Sequence, residues 1–236
     1  AREAQQEYSR KLIASQERER ERIAGALYDG IGQDLLIIKH RTMMALEEPT
    51  SELSQQETEH LRDILNVSSE AVDDVRRMSR DLRPYQIERV GLTATLRSML
   101  QTVAESTALE IHTEIEDVDG MFAPEREIDL YRVVQEGMNN IIKHAEASTA
   151  EIRLRRVNGS LLLIIRDNGR GFDPAALQDG QIALGLGLQG MTERIQMLGG
   201  SLNLDSTPGQ GTTLQASLPV SPLISAVHTS NTELQT

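Results

Sequence analysis

The sequence predicts an α+β protein in two parts: a long helical hairpin, then an α/β sandwich. Three observations carry that reading. Residues from about Arg2 to Leu46 contain no proline and place apolar side chains at helical spacing. A second such stretch runs from Ser54 to Leu82. Beyond Pro84 the pattern changes to short alternating segments, two of them joined by Asn158-Gly159, the strongest short hairpin signal.

In the first stretch the glycines are confined to Gly25, Gly30 and Gly32. The run from Glu17 to Arg22 alternates sign, so Glu17/Arg20 and Glu19/Arg22 pair at i,i+3 on a solvated face. Ile23, Leu27, Ile31, Leu35 and Ile38 form the apolar stripe. Pro49 is expected to break this helix. Ser54-Gln55-Gln56-Glu57 reads as a capping box opening the next one. Leu61, Ile64, Leu65, Ser68, Ala71, Val72, Val75, Met78 and Leu82 follow a heptad-like repeat. Arg83-Pro84 ends it, since the residue before proline is driven out of the α region. A lone hairpin cannot cover both stripes. Two copies paired into a four-helix bundle can, so a homodimer is expected.

The second part reads as a helix over 92–104, a strand over 109–115 and a helix over 125–145 introduced by Pro124. Strands follow over 149–157 and 160–167, then a glycine-rich region from Gly169 to Gly190. A short helix over 188–198 closes on Gly199-Gly200. Strands over 201–206 and 212–218 flank Pro208-Gly209-Gln210-Gly211. Helices on one face of a mainly antiparallel sheet make the sandwich. The polar tail after Pro219 lacks periodicity and is expected to be disordered. No internal repeat is visible.

Composition sets outer bounds. The 236 residues hold one or two domains. With no Trp and two Phe, aliphatic side chains must build the core. The absence of Cys excludes disulfides, thiolate catalysis and thiolate zinc sites. A net charge of -12 argues against a nucleic-acid partner. The longest purely apolar run, Leu161 to Ile165, is far too short to span a bilayer. The chain does not open on Met, which suggests a piece of something longer.

Four short motifs follow one another in the second part. Glu136-x-x-x-Asn140 puts two polar side chains on one helix face, followed by Lys143-His144-Ala145. Asp167-Asn168-Gly169-Arg170-Gly171 sits at a strand end. Gly185-Leu186-Gly187-Leu188-Gln189-Gly190 precedes a helix, and Gly209-Gln210-Gly211-Thr212-Thr213 precedes the last strand. Each is weak alone. No strand feeds directly into the Gly-x-Gly-x-x-Gly, so a dinucleotide-binding reading fails.

Together the four resemble the ATP-binding domain shared by histidine kinases, type II topoisomerases, the ninety-kilodalton heat-shock chaperone and the mismatch-repair ATPases. The resemblance implies ATP and Mg²⁺ as cofactors. Asp167, an acceptor when ionised, would take a proton bond from the adenine amine, with Thr212 helping through water. Gly169 and Gly171 would let the backbone approach the ring. Asn140 would offer an amide oxygen to Mg²⁺, with Glu136 acting indirectly. Gly185, Gly187 and Leu188 would cradle phosphates at a helix start. Lys143 and His144 would touch phosphate, and a capping or packing role for His144 stands beside that. Residues 173–184 would form a lid.

The first part narrows the branch. The stretch Glu21-Arg22-Ile23-Ala24-Gly25-Ala26-Leu27-Tyr28-Asp29-Gly30-Ile31-Gly32-Gln33 resembles the phosphoacceptor helix of sensor histidine kinases that pair with NarL-like response regulators. Residues 70–84 and Gly91-Leu92 resemble that class's second helix and linker. Nitrate and membrane-fluidity sensors belong to it. The implied domains are 1–84 for dimerisation and phosphoacceptance, 85–219 for ATP, and 220–236 as a tail. The implied partner is a NarL-like receiver domain. The place is the cytoplasm of a bacterium, with any membrane link through upstream segments.

At the acceptor position the family's histidine is replaced by Tyr28. Asp29 would be the general base and Gln33 would orient water for hydrolysis of the partner's aspartyl phosphate; exposed helix surface is the plainer reading of both. Imidazole has a pKa near 6.5, whereas a phenol near 10 stays protonated at neutral pH. Its oxygen also lies further from the backbone, outside a geometry set for imidazole. The expectation is therefore an ATP-binding kinase core that has lost autophosphorylation and can retain phosphatase activity. The substitution is read first as a deliberate block, then as natural degeneracy in a phosphatase or scaffold. A serine-directed anti-sigma-factor kinase shares the ATP motifs but has no need of the hairpin.

Overall fold

The computed structural model describes residues 2–47, 53–82, 84, 86–174 and 185–220. They form two compact units, the first ending at Tyr85 and the second beginning at Gln86. Pro49, Arg83, most of the expected lid and residues 221–236 of the tail lie outside the described residues. No described helix is long and apolar enough to cross a membrane.

The first unit is the expected hairpin with one departure. Its first arm comprises α1 (Arg2–Ala26), a π-helical segment (Leu27–Gly32) and α2 (Gln33–Glu47); its second is α3 (Gln55–Leu82). The inward positions of the first arm run 13, 17, 20, 24, 27 and then 32, 35, 39, 42, 46. Spacings of three and four alternate except for one gap of five, from Leu27 to Gly32. That gap is where the wider π turn takes in an extra residue. Ile31 and Ile38, read from the uninterrupted helical period as part of the apolar stripe, do not face α3 within the protomer. Both side chains are about half exposed in the protomer (52% and 46%), and Gly32 and Thr42 are buried instead.

The arms meet closely where the inward residues are small. A Cβ on Gly32 would lie 3.6 Å from Val75, which is buried with Val72. The buried Ser79 hydroxyl donates to the Ala24 carbonyl at 3.3 Å, tying α3 to α1. Ser68 and Thr42 return their hydroxyls to the carbonyls of Ile64 and Ile38, so neither buried polar group is left unpaired. The capping box is present at the start of α3. The Ser54 hydroxyl and amide both donate to the Glu57 carboxylate, and the Glu57 amide donates back at 3.2 Å. Those bonds, the hydroxyl's first, hold the Glu57 carboxyl below its ordinary pKa.

The second unit is a five-stranded sheet with helices against it. The strands are β1 (Glu110–Ile115), β2 (Thr149–Val157), β3 (Ser160–Asp167), β4 (Ser201–Ser206) and β5 (Thr212–Pro219), in the order β1-β2-β3-β5-β4. β1 pairs with β2 in parallel and the other pairs are antiparallel. The parallel pair follows from the long crossover through α5 (Pro124–Asn140). Asn158 (φ 50°) and Gly159 (φ 78°) make the tight turn between β2 and β3 with both central residues at positive φ.

Residues 86–106 form α4, bent at Gly91 (φ 85°). Only glycine suits that backbone, and a Cβ there would strike the Asp119 carboxylate. The same carboxylate accepts from the Thr93 amide at 2.7 Å, capping the helix that resumes after the bend. α5 lies against α4 and against α6 (Gly185–Met197). The core is aliphatic, with Leu92, Leu96, Leu130, Val133, Leu163 and Ile195 nearly inaccessible. Among the buried groups of this unit, Asp129 on α5 and Arg194 on α6 form an ion pair at 2.6 Å.

Candidate nucleotide cleft

The expected long helix over 125–145 changes geometry before it ends. α5 stops at Asn140, and Ile141–Ala145 form a second π-helical segment that closes on Glu146 in the left-handed region (φ 53°, ψ 35°). His144 is thereby half-buried and Lys143 exposed. A cleft of about 380 Å³ opens between this helix end, the sheet and α6. Its polar lining is Asn140, His144, Asp167, Arg170 and Thr212. Its apolar lining includes Ile141, Ile165, Phe172, Leu188, Met191 and Leu214. A mostly apolar cavity with a few convergent polar groups suits a flat heterocycle.

Asp167 is the deepest of these groups, at 6% exposure on the last residue of β3. Burial pushes its carboxyl up from the ordinary aspartate value, while bonds from the Gly169 and Thr212 amides pull partly back. The Gly169 amide lies 2.8 Å from it. A carboxylate can accept about four hydrogen bonds, so two amide donors leave it capacity for a ligand in the cleft it lines.

The glycines near it also make room for protein backbone. A Cβ on Gly169 would run into the Ala145 carbonyl, and one on Gly171 (φ 55°) into those of Thr207 and Gly211. Gly169 and Gly171 thus let protein backbones cross at this point, and Gly171 also lines the cleft. Gly187 likewise admits the Glu136 carboxylate, which would overlap a Cβ there. The Gly-x-Gly does not precede a helix but forms its first turn, since α6 begins at Gly185. Glycines fit there because α6 must pass close to α5.

Of the residues picked from sequence, the structure brings Asn140, His144, Asp167, Gly171, Leu188 and Thr212 to one cavity. Glu136, Lys143, Gly169 and Gly187 are not among its lining residues. Three contributors escaped sequence reasoning. Arg170 lines the cleft and bonds Glu146 at 3.2 Å. Asn168 accepts from the Ser148 and Thr149 amides at 3.0 and 2.9 Å, fixing the start of β2. Ser206, buried at the end of β4, contacts Thr212. An asparagine after a strand is a turn former, so Asn168 alone carried a readable signal.

In the first unit, Tyr28 and Asp29 lie inside the π segment and Gln33 opens α2. All three are exposed, Tyr28 at 52%. A π turn is a common marker of functional positions on helices.

Residues 19–86 match the family model described as histidine kinase, and residues 125–222 match the one described as histidine kinase-, DNA gyrase B-, and HSP90-like ATPase. Sensor histidine kinase MctS of Rhizobium johnstonii is 34% identical over 90% of this chain and 46% of its own length. Signal transduction histidine-protein kinase/phosphatase DegS of Brevibacillus brevis is 30% identical over 91% of this chain and 55% of its own. The chain thus spans about half the length of the curated relatives it matches. The histidine kinase domain of the blue-light activated histidine kinase from Erythrobacter litoralis shares the fold, with a TM-score of 0.52 at 18% identity over 84% of this chain and 94% of that one. Two family models in kinase order and a hairpin followed by an ATPase sandwich agree: the chain carries a histidine kinase domain over residues 19–86 and an ATPase domain of the histidine kinase, DNA gyrase B and HSP90 type over residues 125–222, and is similar along most of its length to sensor histidine kinases.

Proposed function

We propose that this chain is a kinase core that binds ATP·Mg²⁺, carries its phosphoacceptor position at Tyr28, and cannot phosphorylate itself there. The observation that carries the reading is the convergence of Asn140, His144, Asp167 and Thr212, drawn from three separate motifs, on one cleft. Asp167 would accept from the adenine amine in the apolar end of that cleft. Asn140 would hold Mg²⁺ through its amide oxygen, with Glu136 behind it, and Mg²⁺ would neutralise the phosphate charge. Gly185, Gly187 and Leu188 would meet the phosphates at the positive end of α6, with Lys143 and His144 nearby. Residues 1–84 would be the dimerising acceptor domain, 85–219 the ATP domain and 220–236 a tail.

At the hairpin, Asp29 sits beside Tyr28 but cannot overcome a phenol pKa about three units above imidazole's. Gln33, one turn on, would still orient water against an aspartyl phosphate on a NarL-like receiver domain. The printed name of DegS, a kinase/phosphatase, supports keeping that second activity in view. The stripe residues left exposed, Ile31 and Ile38, support a homodimer.

The test is Tyr28→His. Transfer of radiolabel from the γ-phosphate of ATP to the variant, and none to the parent, is the expected result. No labelling of the variant at saturating ATP·Mg²⁺ would refute the acceptor assignment.

A further inference from the structure

We propose that Ser206 is a positioning residue that sets which way the Thr212 hydroxyl points, and so makes this wall of the cleft accept hydrogen bonds only. The proposal rests on the nucleotide reading above and deepens it.

Ser206 ends β4, faces Thr212 in the β4–β5 register and is 7% exposed. Its Oγ has three protein neighbours. The Phe172 amide donates to it at 3.0 Å. The Gly211 carbonyl lies at 3.2 Å and Thr212 Oγ1 at 2.9 Å. A serine hydroxyl has one proton and two lone pairs. The Phe172 amide takes one lone pair. The Gly211 carbonyl can only accept, so it takes the proton. Thr212 then has to donate to the remaining lone pair. This is the one arrangement in which all three contacts are hydrogen bonds at once.

The consequence is that Thr212 spends its proton on Ser206 and shows the cleft its lone pairs. Asp167 is directly across the β3–β5 register from Thr212, takes that residue's amide proton, and offers carboxylate lone pairs beside it. The wall therefore calls for a donor. The 6-amino group of adenine brings two protons. A 6-oxopurine brings a carbonyl oxygen, which meets lone pairs. Without Ser206 the Thr212 proton is released and can turn to a 6-oxo group.

The probes are ATP and inosine triphosphate, whose bases differ in the 6-substituent and in the proton that the 6-oxo base carries on N1, titrated by calorimetry into the full chain. Ser206→Ala should cut the ATP preference by about fivefold, the worth of one hydrogen bond near 1 kcal/mol. Thr212→Val, which keeps shape and removes the hydroxyl, should cut it similarly, and the double variant should match Thr212→Val alone. If Ser206→Ala weakens both nucleotides equally, its role is only to tie strands together and the proposal falls. An unchanged preference in Thr212→Val overturns it as well, without depending on how Ser206→Ala folds. Failure of the parent to bind ATP would instead sink the nucleotide reading itself.

Discussion

Breaking the Asp129–Arg194 pair should loosen the wall of the cleft. Both side chains are close to nine-tenths buried, at 13% and 10% exposure, and their charged atoms lie 2.6 Å apart. Arg194→Met keeps most of the aliphatic volume but removes the guanidinium that meets the Asp129 carboxylate in a nearly dry site. Removing one member of such a pair costs about 3–5 kcal/mol, mostly the penalty of the orphaned charge. For a unit of this size that corresponds to a fall in Tm of roughly 10 °C. The loss has a direction. α6 carries Leu188 and Met191 into the cleft, and the pair is what fastens α6 to α5. Nucleotide affinity should therefore fall along with stability. The assay is differential scanning fluorimetry with and without ATP·Mg²⁺, read beside Asp129→Asn/Arg194→Met. The double variant should recover part of the lost stability, because it also removes the carboxylate charge that the guanidinium had met. An Arg194→Met protein that melts within about 2 °C of the parent would refute the reasoning, since the pair would then contribute no more than a surface contact.

Two further outcomes can be checked. Burial raises the Asp167 pKa above its unfolded value, so this group favours folding at low pH, and that contribution is lost as pH rises through the folded pKa. Nucleotide binding needs the ionised carboxylate and has the opposite sign, weakening as pH falls through the same value; calorimetry from about pH 8 down to about pH 4, the ordinary carboxylate value, should show that decline, and Asp167→Asn should bind weakly with a flat profile. Ile38→Asp places a charge in the apolar face that the protomer leaves exposed, and should shift sedimentation from dimer toward monomer at micromolar concentration while leaving the helical signal intact; an unchanged dimer would mean that this face is not the interface.

Element types were largely legible because they rest on local rules. The Ser54/Glu57 capping box, the Asn158-Gly159 turn and the alternation of β2 and β3 each depend on residues within a few positions of one another. The phase of the first arm was not legible in this way. Ile31 and Ile38 fit a regular helical stripe, and only tertiary packing against Val75 favours the extra residue that turns Gly32 inward. The cleft divides along the same line. Asp167 and Thr212 announce themselves through flanking glycines. Ser206 lies in ordinary-looking sequence and Arg170 fills a variable position of its motif, and both matter through neighbours 34 and 24 positions away. The close approaches at Gly169, Gly171 and Gly187 were not legible either: the clash each avoids is with a carbonyl or carboxylate distant in sequence.

The extra residue in the first arm has a consequence beyond packing. Upstream of it the helix keeps one angular frame, and downstream another, displaced by about 100°, one residue's share of a turn. Deleting any single residue between 27 and 32 would shorten the gap to an ordinary helical spacing and keep both frames inward, Thr42 included, whereas straightening the segment with all its residues would rotate all of α2 against α3. Moving the extra residue by a turn would rotate only the residues it passes, leaving both ends seated. Tyr28 and Asp29 are in that narrow window. They occupy the part of the arm whose facing can change while the hairpin above and below stays as it is.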